Sequence, residues 1–322
     1  MTQPLLQVEN LRTYFLSRWG TVKAVDGVSF SVHPGETLGL VGESGCGKSV
    51  TCLSILRLVP QPAGKIVGGR VLWEGEDLLK KSEVEMRRIR GGCISMILQD
   101  PMTSLNPVFS IGDQVAEGIA IHRRLKGKTL WQKTAEVLGL VRISSAKARL
   151  RDYPHQFSGG MRQRVVGAIS LACEPRLLIA DEPTTSLDVT IQLQYLNLLK
   201  EIQRRSGVAM IFVTHDFGIV AKTCDRVAVM YAGRIVEIAS VRDLFSRPAH
   251  PYTRALLDSI PNLEEQVDRL YSIEGQPPAL HSLPPGCAFA PRCPYATRRC
   301  DHEYPPEVSL NSGHMALCWR VA

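Results

Sequence analysis

The chain lacks the long apolar runs of a membrane protein: nowhere do about 18 apolar residues follow one another, so no segment reads as a spanning helix. Its opening, Met1-Thr2-Gln3-Pro4-Leu5, has no basic stretch leading into an apolar one, so no secretory leader is expected and the chain reads as cytoplasmic. Aromatics are sparse at 6%, and the basic pairs Lys80-Lys81, Arg87-Arg88, Arg123-Arg124 and Arg204-Arg205 are not interleaved with them. Despite a net charge of +7, these pairs read as solvated helix faces, and no nucleic-acid partner is expected. There is no internal repeat. What remains is an ordinary globular composition, 44% hydrophobic over 322 residues, enough for a sizeable core.

Short apolar runs and turn signals such as Asp26-Gly27 and Pro34-Gly35 point to several strands within residues 5–41. Further strands are expected around 67–73, 93–98, 176–180, 208–213 and 226–230. Helical periodicity dominates 110–150 and 192–204. Buried strands alternating with helices indicate an α/β fold with a largely parallel sheet. Beyond about residue 240, prolines cluster at 277–278, 284–285 and 305–306 and periodicity fades, which reads as an appended module over 241–322.

Gly42-Glu43-Ser44-Gly45-Cys46-Gly47-Lys48-Ser49 matches G-x-x-x-x-G-K-[ST] between an apolar strand and a helical pattern. Glycines let backbone amides turn inward on phosphate oxygens, and the helix start running into Val50 adds its positive end. Lys48 is expected on the β- and γ-phosphates and the Ser49 hydroxyl on Mg²⁺, which makes the ligand a nucleoside triphosphate. Cys46 lies inside the loop, where the helix N-terminus is expected to lower its thiol pKa and make it a target for thiol reagents.

Downstream, the apolar run 176–180 ends in Asp181-Glu182. A carboxylate at the strand end suits Mg²⁺, and the next suits a general base that polarises the attacking water. Phe157-Ser158-Gly159-Gly160-Met161-Arg162-Gln163 puts a serine cap and two glycines at a helix start, ready to donate to an anion.

With these motifs in order, residues 5–240 resemble the nucleotide-binding subunit of an ATP-binding-cassette (ABC) transporter. The resemblance implies a P-loop NTPase fold with a RecA-like core, an antiparallel β subdomain and a helical subdomain near 100–157. Phe157 to Gln163 is similar to the family's L-S-G-G-Q sequence, with Phe157 and Met161 departing from it. Gln99 resembles the Q-loop glutamine near Mg²⁺, Ser186-Leu187-Asp188 the D-loop, and His215 the histidine that contacts the γ-phosphate. The implied catalytic set is Glu182, His215 and Gln99, with Mg²⁺ on Ser49, Gln99 and Asp181. For the adenine, Phe15 is the first choice of stacking platform, with Tyr14 and Trp19 as alternatives. The family also implies head-to-tail pairing of two ATPase subunits, so that Ser158 and Gly160 of one chain complete the γ-phosphate site over Lys48 of the other, with Gly159 and Asp188 also counted among the nucleotide-binding residues.

His250-Pro251-Tyr252-Thr253-Arg254 and the run Cys287, Cys293, Cys300, Cys318 resemble the extension of dipeptide and oligopeptide importer ATPases. Four cysteines in a module with little apolar core suggest a metal staple. Their spacings are wider than the paired C-x2–4-C of zinc sites. The resemblance implies a [4Fe–4S] cluster; zinc or unliganded thiols are the alternatives. It further implies two permease subunits, an extracytoplasmic solute-binding protein, a second and distinct ATPase subunit, and a place on the cytoplasmic face of the membrane. Nickel or glutathione in place of peptide stays open as cargo. A soluble cassette ATPase working on DNA or ribosomes is disfavoured, because neither a second cassette nor a long coiled-coil insertion is visible.

Overall fold

The computed structural model describes residues 3–185, 187–260 and 271–322, and the backbone alone of Pro101 and Met102. Ser186 of the expected D-loop and residues 261–270 of the expected extension lie outside the described residues. In chain order the strands are β1 (Leu6–Ser17), β2 (Gly20–Val32), β3 (Thr37–Val41), β4 (Gly64–Trp73), β5 (Glu76–Asp77), β6 (Ile94–Ile97), β7 (Leu177–Asp181), β8 (Ala209–Thr214), β9 (Arg226–Tyr231), β10 (Arg234–Ser240), β11 (Glu307–Asn311) and β12 (His314–Leu317). The helices are α1 (Lys48–Ile55), α2 (Glu83–Ile89), α3 (Pro101–Ser104), α4 (Ile111–His122), α5 (Gly127–Leu140), α6 (Gly159–Leu171), α7 (Val189–Ser206), α8 (Phe217–Thr223), α9 (Val241–Ser246), α10 (Pro251–Asp258) and α11 (Arg298–His302).

These elements gather into two compact units: Met1–Val32, Thr37–Leu79 and Thr214–Ala322 form the first, and His33–Glu36 with Lys80–Val213 the second. The described residues of the expected extension group with the first unit.

The first unit carries the antiparallel sheet β2-β1-β4-β5. In β1 buried positions are interspersed with exposed ones, the mark of a sheet with one wet face. β3, by contrast, is buried at every residue, as its unbroken apolar run requires. It pairs in parallel with β9, and antiparallel partners β10, β12 and β11 continue that sheet. The core behind it joins Val41, Phe217, Val229 and Tyr231 to Tyr252 and Phe289 of the extension. Glu237, fully buried on β10, closes the seam: its carboxylate accepts from the amides of Ala249 and His250 at 2.8 Å each and meets His314 Nε2 at 2.8 Å. A buried carboxylate is tolerable only with its acceptors filled in this way.

In the second unit β6, β7 and β8 pair in parallel. β7 is buried throughout and delivers Asp181 at its carboxyl end. Helix α6 lies beside β6, with the Ser170 hydroxyl donating to Met96 O at 3.1 Å. α7 buries Tyr195, Leu196, Leu198, Leu199 and Ile202 and stops at Gly207, whose φ of 70° suits a glycine helix end. The expected helical stretch 110–150 is occupied by α4 and α5.

Candidate phosphate and hydrolysis site

Gly42, Gly45 and Gly47 take φ values of 150°, 78° and 108°, so the turn between β3 and α1 is built from conformations that side chains resist. Space forbids them too. A Cβ on Gly42 would stand 2.2 Å from Met230 O, and one on Gly47 2.1 Å from Ala24 O. Gly47 caps α1, and Lys48 and Ser49 open it, which aims the helix amides and dipole at the loop. Lys48 is buried, and its ammonium donates to Gly42 O at 2.8 Å and Glu43 O at 3.0 Å. Ser44 and Gly45 at the loop's tip are exposed. The arrangement is a pre-shaped anion cradle with its cation in place.

Two loop residues differ from the expectation. Cys46 is buried, and burial pushes its thiol pKa up against the opposing pull of Lys48, so the lowered pKa expected from the helix start is corrected. Glu43, counted among the phosphate contacts from its place in the motif, spends its polar groups elsewhere. Its amide donates to the Tyr252 hydroxyl at 2.9 Å, and its carboxylate takes both Arg292 guanidinium nitrogens at 2.7 and 2.9 Å.

In the second unit, Asp181 is buried at the end of β7, and Glu182 follows with φ 44°. Glu182 Oε2 accepts from Gln99 Nε2 at 2.9 Å and from the Thr185 hydroxyl at 3.1 Å. The two residues the sequence placed around the attacking water are therefore hydrogen-bonded to each other. Ser158 caps α6, its Oγ accepting from Met161 N at 3.4 Å, and Asp188 caps α7, accepting from Ile191 N at 3.0 Å. These two helix starts, with Gly159, Gly160 and the guanidinium residues Arg142 and Arg164, line one open cleft of about 470 Å³. Two positive helix ends suit an anion, while the Arg142 guanidinium is paired with Glu201 and that of Arg164 donates to Gln194 Oε1 and Arg142 O. Gly160 is there for room: a Cβ would meet Ile191 Cγ2 at 2.7 Å. Phe157, where the family has leucine, is buried under the Arg149 guanidinium. His215, the residue after β8, is exposed and falls in the first unit.

Among the aromatics, Tyr14 donates to Asp26 at 2.6 Å, Phe15 is half-buried on β1 opposite Gly64 and Val22, and Trp19 is exposed beside Arg18. The four cysteines Cys287, Cys293, Cys300 and Cys318 converge on one small cavity, walled by His250, Phe289, Tyr295 and Trp319. Burial pushes the Cys287 thiol up to about 11 and raises Cys293 and Cys318, and the other thiols add to the rise. Among the described residues, no group of three or more His, Cys, Asp or Glu side chains is arranged to hold a metal ion. Sequence reasoning missed Arg292, Tyr252 as a loop contact, Thr185 as a Glu182 partner, and Gln163, which donates to Pro183 O at 2.6 Å. None stands at a motif position with that role.

Fold and loop chemistry together define an ATP-hydrolysing cassette. Residues 25–185 match the family described as ABC transporter, and 236–300 match Oligopeptide/dipeptide transporter, C-terminal region. A probable peptide ABC transporter ATP-binding protein of Sinorhizobium fredii is 54% identical over 98% of this chain and 95% of its own. The dipeptide transport ATP-binding protein of Bacillus subtilis is 51% identical over the same shares. A cassette of Clostridium perfringens from a cbiONQ ABC transporter complex superposes with a TM-score of 0.64 at 28% identity, covering 76% of this chain and 92% of that one. A dimeric cassette bound to ADP and Pi, 24% identical, shares the fold with a TM-score of 0.66 over 74% of this chain and 99% of its own. The chain belongs to the ATP-binding subunits of the ABC transporter family, in the oligopeptide/dipeptide branch. Among the described residues no helix is long and apolar enough to cross a membrane.

Proposed function

We propose that the chain drives uptake of di- and oligopeptides from the cytoplasmic face of the cell membrane, seated on two separate permease subunits and served by an extracytoplasmic solute-binding protein. The observation that carries the cargo is the full-length identity of 54% and 51% to peptide-transport ATPases, extension included. Reconstitution with its permeases and binding protein tests it: ATPase stimulation by peptide supports the reading, and stimulation by nickel or glutathione alone overturns it.

In the hydrolytic cycle the loop amides and Lys48 bind the β- and γ-phosphates, and Phe15 stacks on the adenine. Ser49, Gln99 and Asp181 would hold Mg²⁺, which would neutralise phosphate charge. That set contains one carboxylate, the sparse protein ligation Mg²⁺ takes alongside phosphates. Glu182 takes the proton of the attacking water, Gln99 orients the pair, and His215 contacts the γ-phosphate. The α6 and α7 starts form an anion cleft, and we assign it to the nucleotide of a second ATPase subunit, a distinct homologue rather than a copy. Closure between chains excludes water and completes the charge stabilisation, so turnover requires the pair.

For the cysteine cavity we infer a [4Fe–4S] cluster on Cys287, Cys293, Cys300 and Cys318. Soft sulfur ligands gathered around one apolar-walled space suit it. Iron and acid-labile sulfide in equal amounts in the purified protein support the cluster; stoichiometric zinc without iron overturns it.

A further inference from the structure

The phosphate loop is gripped from outside by the C-terminal extension. Glu43 is 249 residues from Arg292, yet the two form a two-bond ion pair at 2.7 and 2.9 Å, with the Arg292 side chain only 4% exposed. The remaining donors of Arg292 are also directed: Nε to Glu274 O at 3.0 Å, and the two terminal nitrogens additionally to the Tyr231 hydroxyl at 3.3 Å and Ile273 O at 3.4 Å. A planar guanidinium held on several sides cannot swing away without stranding donors. On the backbone side, Tyr252 is fully buried against Tyr231 and Phe289, and its hydroxyl accepts the Glu43 amide at 2.9 Å. The carbonyl of the same Glu43 receives Lys48 Nζ at 3.0 Å. One residue thus links the extension to the lysine expected on the phosphates.

We propose that Arg292 and Tyr252 are positioning residues of the ATP site, holding Glu43 so that the loop and Lys48 stay in phosphate-binding geometry. A loop with glycines at φ 150°, 78° and 108° has much backbone freedom to lose, and an external clamp removes that cost before ATP arrives. The clamp acts equally on bound ATP and on the transition state. Its loss therefore raises the ATP dissociation constant and KM and leaves kcat in place.

The test is equilibrium Mg-ATP binding and steady-state ATPase kinetics on the full chain with its partner subunits, with melting temperature as a fold control. Glu43→Gln and Arg292→Gln should each raise the dissociation constant about tenfold, with kcat within about twofold of the parent. Tyr252→Phe should raise it about threefold. The double variant Glu43→Gln/Arg292→Gln should bind no worse than the weaker single, because both remove the same pair. Arg292→Lys should fall between the parent and Arg292→Gln, since the charge stays and the fork is lost. A folded Glu43→Gln protein with parental ATP affinity overturns the proposal, as do fully additive effects in the double variant. Should Arg292→Gln fail to fold, Glu43→Gln and Tyr252→Phe decide the matter on the same readout.

Discussion

Around the phosphate loop, Glu43 is bound through its amide, its carbonyl and its carboxylate, and Gly42 and Gly47 have no room for a single added carbon. At the end of β7, by contrast, Glu182 is half-buried and accepts from Gln99 and Thr185, both of them exposed. Binding depends on a backbone that must not move. Hydrolysis depends on side chains whose hydrogen bonds can be exchanged for a water or a phosphate. The contrast is that of a preorganised cradle against a carboxylate, proposed as the base, still able to re-pair.

The largest expected effect lies on the exchangeable side. Glu182→Gln keeps the shape and the Gln99 contact but removes the base, so turnover should fall about 10²–10⁴-fold while ATP binding stays intact. Steady-state rates beside equilibrium binding check it, and a normal rate would remove Glu182 from the base role. Next comes the rigid side: Gly47→Ala meets Ala24 O at 2.1 Å with φ at 108°, and should weaken ATP binding up to about 100-fold. If it bound ATP normally and only slowed turnover, the division between cradle and catalyst would not hold.

Smaller effects sharpen the same contrast. Ser158→Ala removes the α6 cap, at a cost of about 1 kcal/mol in thermal stability, and should lower turnover with little change in single-chain ATP binding. Cys46→Ser should leave ATPase activity within about twofold, since the phosphate contacts proposed for this loop are backbone ones. In the parent protein, Cys46 should react more slowly with a neutral thiol reagent than the half-buried Cys93 and Cys224. Mass-spectrometric labelling rates measure this, and fast labelling of Cys46 would restore the activated thiol.

The cradle was legible because its geometry is local: eight consecutive residues fix the glycine conformations, the lysine and the helix start. The buried strands β3, β7 and β8 were legible for a similar reason, as unbroken apolar runs. Contacts closed by the fold were not. Gln99 meets Glu182 across 83 residues and Arg292 meets Glu43 across 249, and no spacing in the chain encodes either. Cys46 misled because burial outweighs the helix end that its sequence position advertises. The four cysteines were visible as a cluster in sequence, but their convergence beside Phe289 and His250 required the extension to fold onto Val229 and Tyr231.

On the proposed reading, the cradle around Lys48 turns over ATP only when a second subunit presents its serine–glycine helix start. The most direct measurement is ATPase rate per chain against concentration, alone and with increasing partner subunit. A rate that is negligible in dilute isolated chain and rises to saturation with the partner is expected; a constant full rate per chain in a demonstrated monomer would contradict it.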